Sequence, residues 1–477
     1  MNIDYEPVIG LEVHIQLKTA AKLFCGCSTG YGASENSHIC PVCTGYPGSL
    51  PVLNKGALSL ALRMALGLQC RINPKIIFER KNYFYPDLPK NYQISQYALP
   101  LGSEGSLTIY PQEKAKKIRI LRVHMEEDAG KLVHGQGFSC VDFNRTGIPL
   151  AEIVTYPDIA SPDEAYEYLT ALKMIARHLG VSECDMEKGF LRCDANVSIR
   201  EKGVQTLGVK TELKNMNSFK NVRDALEYEI GRQKSVIKKG GSIVQSTLLW
   251  DDQSRKTAVM RTKEEAHDYR YFPDPDLVIF EVDQAYIEDA RAQLPPMPEV
   301  LKAKLRDSYG LSSNQSELLL QEPWLVAFFM AAVDLASDPK KLYNFMAGPL
   351  LECVNAAGKG FSDVRISPVH FAGIVRMLEE GQLNNLTGKE LLRQLVFTDG
   401  DPRTAAAQKG LIQVSGENEL QAIVETVIKN HPKPVSDFLQ GKEQALMFLI
   451  GQVMKEMKGK ANPKVVRELF ERRIRDV

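Results

Sequence analysis

The sequence of 477 residues lacks the motifs by which nucleotide-binding and acyl-transfer enzymes are most often recognised. It contains no G-x-x-x-x-G-K-[ST] phosphate loop, no G-x-G-x-x-G dinucleotide fingerprint and no G-x-S-x-G nucleophile elbow. These absences argue against P-loop, Rossmann and α/β-hydrolase chemistry. If the chain handles phosphate, metal ions held by carboxylates must neutralise its charge.

The sequence also lacks a surplus of charge and a long apolar run. Lys and Arg number 59, as do Asp and Glu, so no general basic coat for nucleic acid is expected, although a local patch suffices to hold phosphates. No apolar stretch approaches the ~18–20 residues of a membrane span. The N-terminus, MNIDYEPVIG, has no basic region followed by an apolar run, so no secretory signal and no membrane association are predicted.

Cysteine is present in an odd number, nine, and five of the nine are scattered. This distribution is unsuited to a disulfide framework and predicts a reducing compartment, the cytoplasm. The other four form C-x-C and C-x-x-C pairs separated by twelve residues. Such paired spacing predicts a tetrahedral Zn²⁺ site, and a closed set of four thiolates is structural rather than catalytic. The predicted zinc ligands are Cys25, Cys27, Cys40 and Cys43.

Segments that alternate apolar and polar residues dominate the first 290 residues or so and predict half-buried strands. Their polar faces are acidic, as in an antiparallel sheet that lines a cleft. The predicted inward residues are Leu11, Val13, Ile15 and Leu17 in the first segment, Leu121, Val123 and Met125 in the second, and Cys193, Ala195, Val197 and Ile199 in the third.

Helices are expected at SPDEAYEYLTALKMIARHLG, which opens on a Ser/Glu capping box and closes on glycine, and at SFKNVRDALEYEIGRQKSVIKKGG. The proline-rich QLPPMPEV marks a linker, after which the pattern is helical, and FTDGDP marks a second break. We therefore predict an α+β fold: an antiparallel-sheet domain over 1–292, a helical domain over 293–405 and a small helical tail domain over 406–477.

Carboxylates on the polar strand faces are the candidate catalytic groups. Packed carboxylates repel one another unless cations neutralise them, and Mg²⁺ is the usual choice for oxygen ligands. Two such ions can bridge the β- and γ-phosphates of ATP. Any single acidic residue on a strand is more often solvated, but a Glu–x–His pair and a lone Glu in an apolar strand are harder to explain that way. The candidates are Glu12, His14, Glu126, Glu127, Glu152, Asp194 and Glu212.

Aromatic and basic residues interleave in ERKNYFYPDLPKNYQISQY and, more weakly, in DYRYFPDPDL. Rings stack on bases and cations hold phosphates, so both segments are candidates for binding a nucleotide or an RNA end. Ordered turns with aromatic packing are the alternative interpretation. The candidate binding residues are Arg80, Lys81, Tyr83, Tyr85, Tyr92 and Tyr271.

Several motifs, in this order, resemble the B-subunit family (GatB) of glutamyl/aspartyl-tRNA amidotransferases over essentially the whole chain. They are IGLEVHIQLKT, RKNYFYPDLPKNYQISQY, HMEEDAGK, RTGIPLAEIV, RCDANVSIR, KTELKNMNSF and DYRYFPDPDL. The resemblance implies a catalytic cradle related to glutamine synthetase, a helical domain and a YqeY-like tail that binds tRNA.

The resemblance also implies an activity, that of a carbon–nitrogen ligase. Such a protein uses ATP and Mg²⁺ to phosphorylate the side-chain carboxylate of Glu-tRNA(Gln) or Asp-tRNA(Asn), and ammonia then displaces the phosphate. The ammonia comes from an amidase partner (GatA), and a small third protein (GatC) completes a heterotrimer. The implied catalytic residues are Glu12, His14, Lys81, Glu127 and Glu152, and the implied Mg²⁺ ligands are His14, Glu126, Glu127, Glu152, Asp194 and Glu212.

Two other functions remain open at this point. A non-catalytic RNA-binding module could dock tRNA through a zinc knuckle and a basic tail, but it has no use for carboxylates that repel phosphate. A stand-alone ligase for a free amino acid would not need the helical and tail regions.

Overall fold

The computed structural model describes residues 4–262, 268–413, 417–457 and 461–475. The chain divides into two compact units, 1–298 and 299–477, at the proline-rich segment. The first unit contains sixteen described strands: β1 Tyr5–Gln16, β2 Arg71–Ile72, β3 Lys75–Ile76, β4 Glu79–Asn82, β5 Tyr92–Ser95, β6 Gly102–Ile109, β7 Lys116–Glu127, β8 Lys131–His134, β9 Ser139–Asp142, β10 Pro149–Thr155, β11 Leu191–Glu201, β12 Thr211–Lys214, β13 Ser246–Asp251, β14 Lys256–Thr262, β15 Phe272–Pro273 and β16 Phe280–Glu281.

The helices of the first unit are α1 Lys55–Gly67, α2 Pro162–His178, α3 Phe219–Lys238 and α4 Gln284–Ala292. Helix α2 begins after Ser161, whose hydroxyl accepts the backbone N–H of Glu164, and it ends before Gly180 at a φ of +67°. Helix α3 begins in the same way, at Ser218. Both predicted helices are confirmed.

Nine strands form one large sheet in the order β14-β13-β12-β11-β1-β10-β7-β6-β2. All its neighbours are antiparallel except β12 and β13, which run parallel. Helix α3 lies between these two strands in the chain, and a crossover of that length is what a parallel pair requires. The mostly antiparallel sheet predicted for this region is therefore confirmed, with one parallel pair that the sequence did not indicate.

One face of the sheet is apolar and forms the core with α1, α2 and α3. In β1 the predicted alternation is confirmed: Leu11, Val13 and Ile15 are buried on this face, whereas Glu12 and His14 point to the other. The prediction for Leu121 is wrong. Pairing between β10 and β7 shifts by one residue there, and this β-bulge leaves the Leu121 side chain 38% exposed.

The second unit is helical throughout the part that the structure describes. Its helices are α5 Pro298–Asp307, α6 Ser313–Leu320, α7 Pro323–Ala332, α8 Pro339–Phe345, α9 Leu351–Ala356, α10 Pro368–Glu379, α11 Asn385–Leu395, α12 Pro402–Gln408, α13 Glu417–Asn430, α14 Pro432–Leu439, α15 Glu443–Glu456 and α16 Pro463–Arg475. Helices α13 to α16 share one apolar core, which includes Leu420, Val424, Leu449 and Phe470.

No single helix of the described residues is long and apolar enough to cross a membrane. Helices α6 and α7 pass that test only as a pair, extended to Leu335, and the pair is bent by 115°.

Candidate active site

The polar face of the large sheet, together with β4, β5 and the segment before β15, lines a cavity of about 770 Å³ in the first unit. Most of its wall is charged or aromatic. The lining residues are Glu12, His14, Lys81, Tyr83, Gln93, Tyr97, Arg122, His124, Glu126, Asp128, Ala129, Leu150, Glu152, Arg192, Asp194, Asn196, Lys210, Glu212, Lys214, Arg261, Asp268, Tyr269 and Tyr271.

Strand register explains why residues so far apart in the chain meet here. His14 on β1 lies opposite Glu152 on β10, which lies opposite His124 on β7. Residues aligned across neighbouring strands on one face have side chains within contact distance. The row His14–Glu152–His124 therefore crosses the centre of the sheet, with Glu126 two residues along β7 on the same face.

The two histidines bind the carboxylates between them. His14 Nε2 lies 3.3 Å from Glu126 Oε1, 3.3 Å from Glu152 Oε2 and 3.8 Å from Glu12 Oε1. His124 Nε2 lies 3.2 Å from Glu152 Oε2. Glu126, Glu152 and His124 are all less than 5% exposed. The structure thus brings together Glu12, His14, Glu126 and Glu152, four of the candidate residues from the strand faces.

Burial and charge act against each other in this group. Burial alone would lower the pKa of His14, but its hydrogen bonds to Glu126 and Glu152 raise it well above the ordinary value. Burial would raise the pKa of Glu152, but His124 and His14 hold it well below the usual range. Burial and the Glu152 charge raise the pKa of Glu12. The cluster is therefore anionic, with cationic imidazole as its local counter-charge.

Two further predicted residues, Asp194 and Glu212, line the cavity beside this cluster. Asp194 lies opposite Glu12 in the β1–β11 register. The Lys214 ammonium binds Asp194 and lies 3.2 Å from Glu212 Oε1, and Thr247 donates a 2.8 Å hydrogen bond to the other Glu212 oxygen. These two carboxylates therefore already have a fixed cation, which lessens their need for a metal ion.

Glu127, predicted as both a catalytic residue and a metal ligand, does not reach the cluster or the cavity wall. Its side chain points to the other side of β7, where it binds the Lys90 ammonium and accepts the backbone N–H of Ile94 at 2.9 Å. Strand alternation is the reason, since Glu126 and Glu127 are consecutive and point to opposite faces. The arrangement gives the predicted role of Glu127 no support.

Lys81 is placed at the cavity wall by β4, with its ammonium 5.1 Å from the centre of the Tyr269 ring. Burial would lower its pKa, but the carboxylate of Glu126, together with Tyr271 and Glu152, raises it. Lys81 is thus a stable cation that faces the acidic cluster. Tyr83 and Tyr271 also line the cavity, and burial raises the pKa of Tyr271 to about 12.

The other predicted binding residues lie away from the lining. Arg80 binds Asp274 at 2.9 Å and Asp276 at 3.0 Å, and its guanidinium lies 4.3 Å from the Tyr92 ring centre. Tyr85 is 52% exposed. Arg80 on β4 and Tyr92 on β5 therefore pack against each other and are not among the residues that line the cavity.

The donor set suits divalent cations. Two overlapping groups have ligand atoms within 4.8 Å of one another: Glu12, His14 and Glu152, and His124, Glu126 and Glu152. Carboxylate oxygens are the ligands that Mg²⁺ and Mn²⁺ prefer, whereas imidazole is less usual for Mg²⁺ and can instead orient the carboxylates. Glu152 belongs to both groups and would be a ligand in either of them.

The four clustered cysteines also converge, with all four sulfurs within 4.8 Å of one another. Cys40 Sγ lies 3.9 Å from Cys43 Sγ, and a tetrahedral zinc with bonds of about 2.3 Å separates its sulfurs by about 3.8 Å. A hydrogen bond with Cys25, the Cys40 backbone N–H and the nearby ammonium of Lys22 lower the pKa of Cys43 to about 4. The residues therefore fit a thiolate-bound Zn²⁺.

A fully buried lysine lies against this cysteine cluster. The Lys22 side chain is 0% exposed, and its ammonium lies 2.8 Å from the His38 carbonyl, 3.3 Å from the Phe143 carbonyl and 3.6 Å from Cys43 Sγ. All three ammonium protons thus have a partner. Lys22 connects the cysteine loop to the segment that precedes β10.

Sequence reasoning did not select several residues that line the cavity. His124 is on the predicted polar face of β7, and that alternation could have identified it. The sequence places Lys214 on a face with Glu212, but its bond to Asp194 depends on pairing between strands. Arg122 is on the same predicted face of β7 as His124 and could have been identified in the same way, whereas the bond of Arg192 to Asp128, at 2.9 Å, depends on the folded structure.

Comparison with known proteins matches both units. The GatB/GatE catalytic domain family matches residues 7–288, and the GatB domain family matches residues 327–474. The B subunit of the aspartyl/glutamyl-tRNA(Asn/Gln) amidotransferase of Carboxydothermus hydrogenoformans is 48% identical over 98% of this chain and 98% of its own length. The proteins of the same name from Moorella thermoacetica and Thermodesulfovibrio yellowstonii are 47% and 48% identical, over 99% and 98% of this chain and 100% and 99% of their own lengths. These matches confirm the resemblance read from the motifs, and the chain belongs to the GatB family of amidotransferase B subunits.

Proposed function

We propose that this chain is the catalytic component of an ATP-dependent, tRNA-dependent amidotransferase, a carbon–nitrogen ligase. The proposal depends chiefly on one observation, the buried cluster of Glu126, Glu152, His14 and His124 in an open charged cavity. A cluster of carboxylates buried on the floor of a cavity is costly unless it serves cations. Relatives that match the whole chain are named as parts of aspartyl/glutamyl-tRNA amidotransferases.

The reaction has two steps. A carboxylate is a poor acyl donor, so the γ-phosphoryl group of ATP first passes to a side-chain oxygen of the glutamyl or aspartyl group esterified to tRNA, with release of ADP. Ammonia then attacks the carbonyl carbon, and phosphate leaves with that oxygen to give Gln-tRNA(Gln) or Asn-tRNA(Asn). Mg²⁺, when bound, would neutralise the oxyanions that must approach one another in the first step.

The chain's own residues supply position and charge. Glu126 and Glu152 would hold the cations, with Glu12 at the edge of the group, and His14 and His124 orient the carboxylates through their Nε2 atoms. Lys81 faces this cluster as a point charge suited to stabilising phosphoryl oxygens. Tyr83 and Tyr271 would border the bound nucleotide or the RNA end.

The remaining parts of the proposal concern architecture and setting. The first unit would be the catalytic cradle, of the glutamine synthetase type, up to about residue 292, followed by a helical domain to 405 and a tRNA-binding tail. The chain would work in a heterotrimer with a glutamine amidase (GatA) and a small third protein (GatC). Its nine cysteines are unpaired, which supports the cytoplasm as its compartment and zinc as a structural ion.

The experiment is ADP release from ATP and Mg²⁺ by the heterotrimeric complex, with four additions compared: Glu-tRNA(Gln), Asp-tRNA(Asn), correctly charged Gln-tRNA(Gln) and free glutamate. Turnover with a mischarged tRNA alone supports the proposal and identifies the substrate. Turnover with free glutamate would instead identify a small-molecule ligase. Tight tRNA binding without turnover would favour the non-catalytic docking module.

A further inference from the structure

Within the part of the chain that the structure describes, Arg122 has no anionic partner, unlike two other cations of the cavity. Arg192 is bound to Asp128 and Lys214 to Asp194. Arg122 has neither an ion pair nor a hydrogen bond among the residues that the structure describes, and its Nε atom is buried without an acceptor. A buried guanidinium N–H without a partner is costly, so its presence calls for an explanation.

The position of Arg122 faces the acidic cluster. Across the sheet it lies opposite Val154, which lies opposite Glu12, so two strand spacings of about 4.8 Å each separate the backbones of Arg122 and Glu12. His124 follows two residues later on the same face. An extended arginine and an extended glutamate together cover such a distance, yet the structure records no ion pair between Arg122 and Glu12. Its guanidinium lies instead 5.6 Å from the centre of the Tyr97 ring.

The aromatic wall joins Arg122 to Lys81. Tyr97 stacks on Tyr271 with ring centres 4.5 Å apart, and Tyr271 meets Tyr269 edge to face at 6.1 Å. Lys81 lies over Tyr269 and, like Arg122, has no ion-pair partner in the described ranges. The rings hold two cations at the cavity wall without neutralising them, since a cation–π contact leaves the N–H edge of a guanidinium open.

We propose that Arg122, with Lys81, is the receptor for a substrate oxyanion, and that its planar edge binds two oxygens of one carboxylate or phosphoryl group. This proposal deepens the function proposed above and rests on it. In that reaction two oxyanions enter the cavity, the side-chain carboxylate of the aminoacyl group and the phosphates of ATP. Both offer the paired oxygens that a guanidinium binds in bidentate fashion.

The matched control lies on the same strand. Arg119 is also on β7 and also lies over a tyrosine, Tyr156, at 4.6 Å, but it is bound to Asp158 at 2.7 Å and lies outside the cavity. Arg122→Met and Arg119→Met therefore remove the same charge and the same kind of ring contact. Arg122→Lys keeps the positive charge but removes the planar guanidinium that can bind two oxygens at once. It replaces Arg122→Met in the test if the methionine variant does not fold.

The test compares these variants in the heterotrimeric complex by KM for ATP, KM for the mischarged tRNA, kcat and melting temperature. We expect Arg122→Met to raise one KM, or lower kcat/KM, by about tenfold or more, the size of one charged hydrogen bond. Arg122→Lys should fall between, and Arg119→Met should match the wild type. A raised KM for ATP identifies the phosphate as the ligand, and a raised KM for tRNA identifies the carboxylate.

Equal kinetic constants for Arg122→Met and Arg119→Met would overturn the proposal that Arg122 binds a substrate oxyanion. Arg122 would then be only a packing partner of Tyr97. A lower melting temperature of Arg122→Met with unchanged kcat and KM per folded molecule would also overturn the proposal. If the wild type shows no turnover, the function proposed above fails, and equilibrium binding of a non-hydrolysable ATP analogue and of the mischarged tRNA then tests the receptor alone. Equal affinities of wild type and Arg122→Met in that assay would overturn it.

Discussion

His14 and Glu152 lie directly opposite each other on neighbouring strands, and His14 Nε2 is 3.3 Å from Glu152 Oε2. Glu152 is only 4% exposed. A second histidine, His124, approaches the same oxygen at 3.2 Å. One buried carboxylate thus organises the centre of the cavity, and the proposed chemistry depends on its charge.

Glu152→Gln keeps the size of the side chain and removes this charge. We expect the rate of ADP release to fall by about a hundredfold or more, because removing one group that stabilises charge at a reacting centre lowers kcat by about that factor. Melting temperature and tRNA binding should change little, since the amide still accepts from the histidines. The control is Glu201→Gln at the exposed end of β11. Loss of folding in Glu152→Gln would show that the residue is structural.

Glu126 and Glu127 offer a direct comparison between neighbours. Glu126 faces the cluster, whereas Glu127 is bound to Lys90 in a buried pair. Glu126→Gln should lower activity more than stability. Glu127→Gln leaves the Lys90 charge without its partner and should cost about 3–5 kcal/mol of unfolding free energy. Denaturant titration of both variants, together with the double change Glu127→Gln/Lys90→Met, measures this. An inactive but fully stable Glu127→Gln protein would contradict the placement.

The cysteine cluster should govern stability rather than chemistry. Cys40→Ser removes one of four convergent sulfurs, so zinc content and melting temperature should fall together. Activity per folded molecule should stay near that of the wild type, because the cluster has no part in the cavity lining. A loss of activity at unchanged melting temperature would argue for a chemical role. Treatment of the wild type with a zinc chelator, followed by return of Mg²⁺, should reproduce the fall in melting temperature seen in the variant.

Lys22 should strengthen the hold on zinc. Four thiolates around Zn²⁺ leave a net charge of −2, and the buried ammonium at 3.6 Å from Cys43 Sγ offsets part of it. Lys22→Met should therefore release zinc to a competing chelator faster than the wild type does. Lys55→Met, at the start of α1, is the control on an exposed lysine. Equal release rates would show that Lys22 only packs beneath the loop.

The sequence predicts those parts of this site that a single strand determines. The alternation of β1 is enough to separate Glu12 and His14 from Leu11 and Val13, and the cysteine spacing is enough to predict a metal site. The meeting of His14 with Glu152 depends on register between strands that are distant in the chain, and no local pattern encodes it. Register also explains the error over Leu121, where one bulge residue changes the direction of the side chain.

Glu127 and Arg80 show a second limit. Both looked reactive because charged residues cluster around them, but each is bound to a partner that only the folded structure reveals. Arg122 shows the converse, since its interest lies in having no such partner in the described part of the chain. Whether a charged side chain has a partner is a property of the tertiary structure, so it cannot be inferred from the composition of the segment around it.

The most direct test of the central claim follows one oxygen atom. Mischarged tRNA carrying ¹⁸O in the side-chain carboxylate is incubated with the heterotrimeric complex, ATP, Mg²⁺ and an ammonium salt. If the carboxylate is phosphorylated and phosphate then leaves, one ¹⁸O passes into inorganic phosphate for each amide formed, and mass spectrometry detects it. Phosphate that contains only ¹⁶O, while amide still forms, would contradict phosphorylation of the carboxylate and with it the role given to the Glu126–Glu152 cluster.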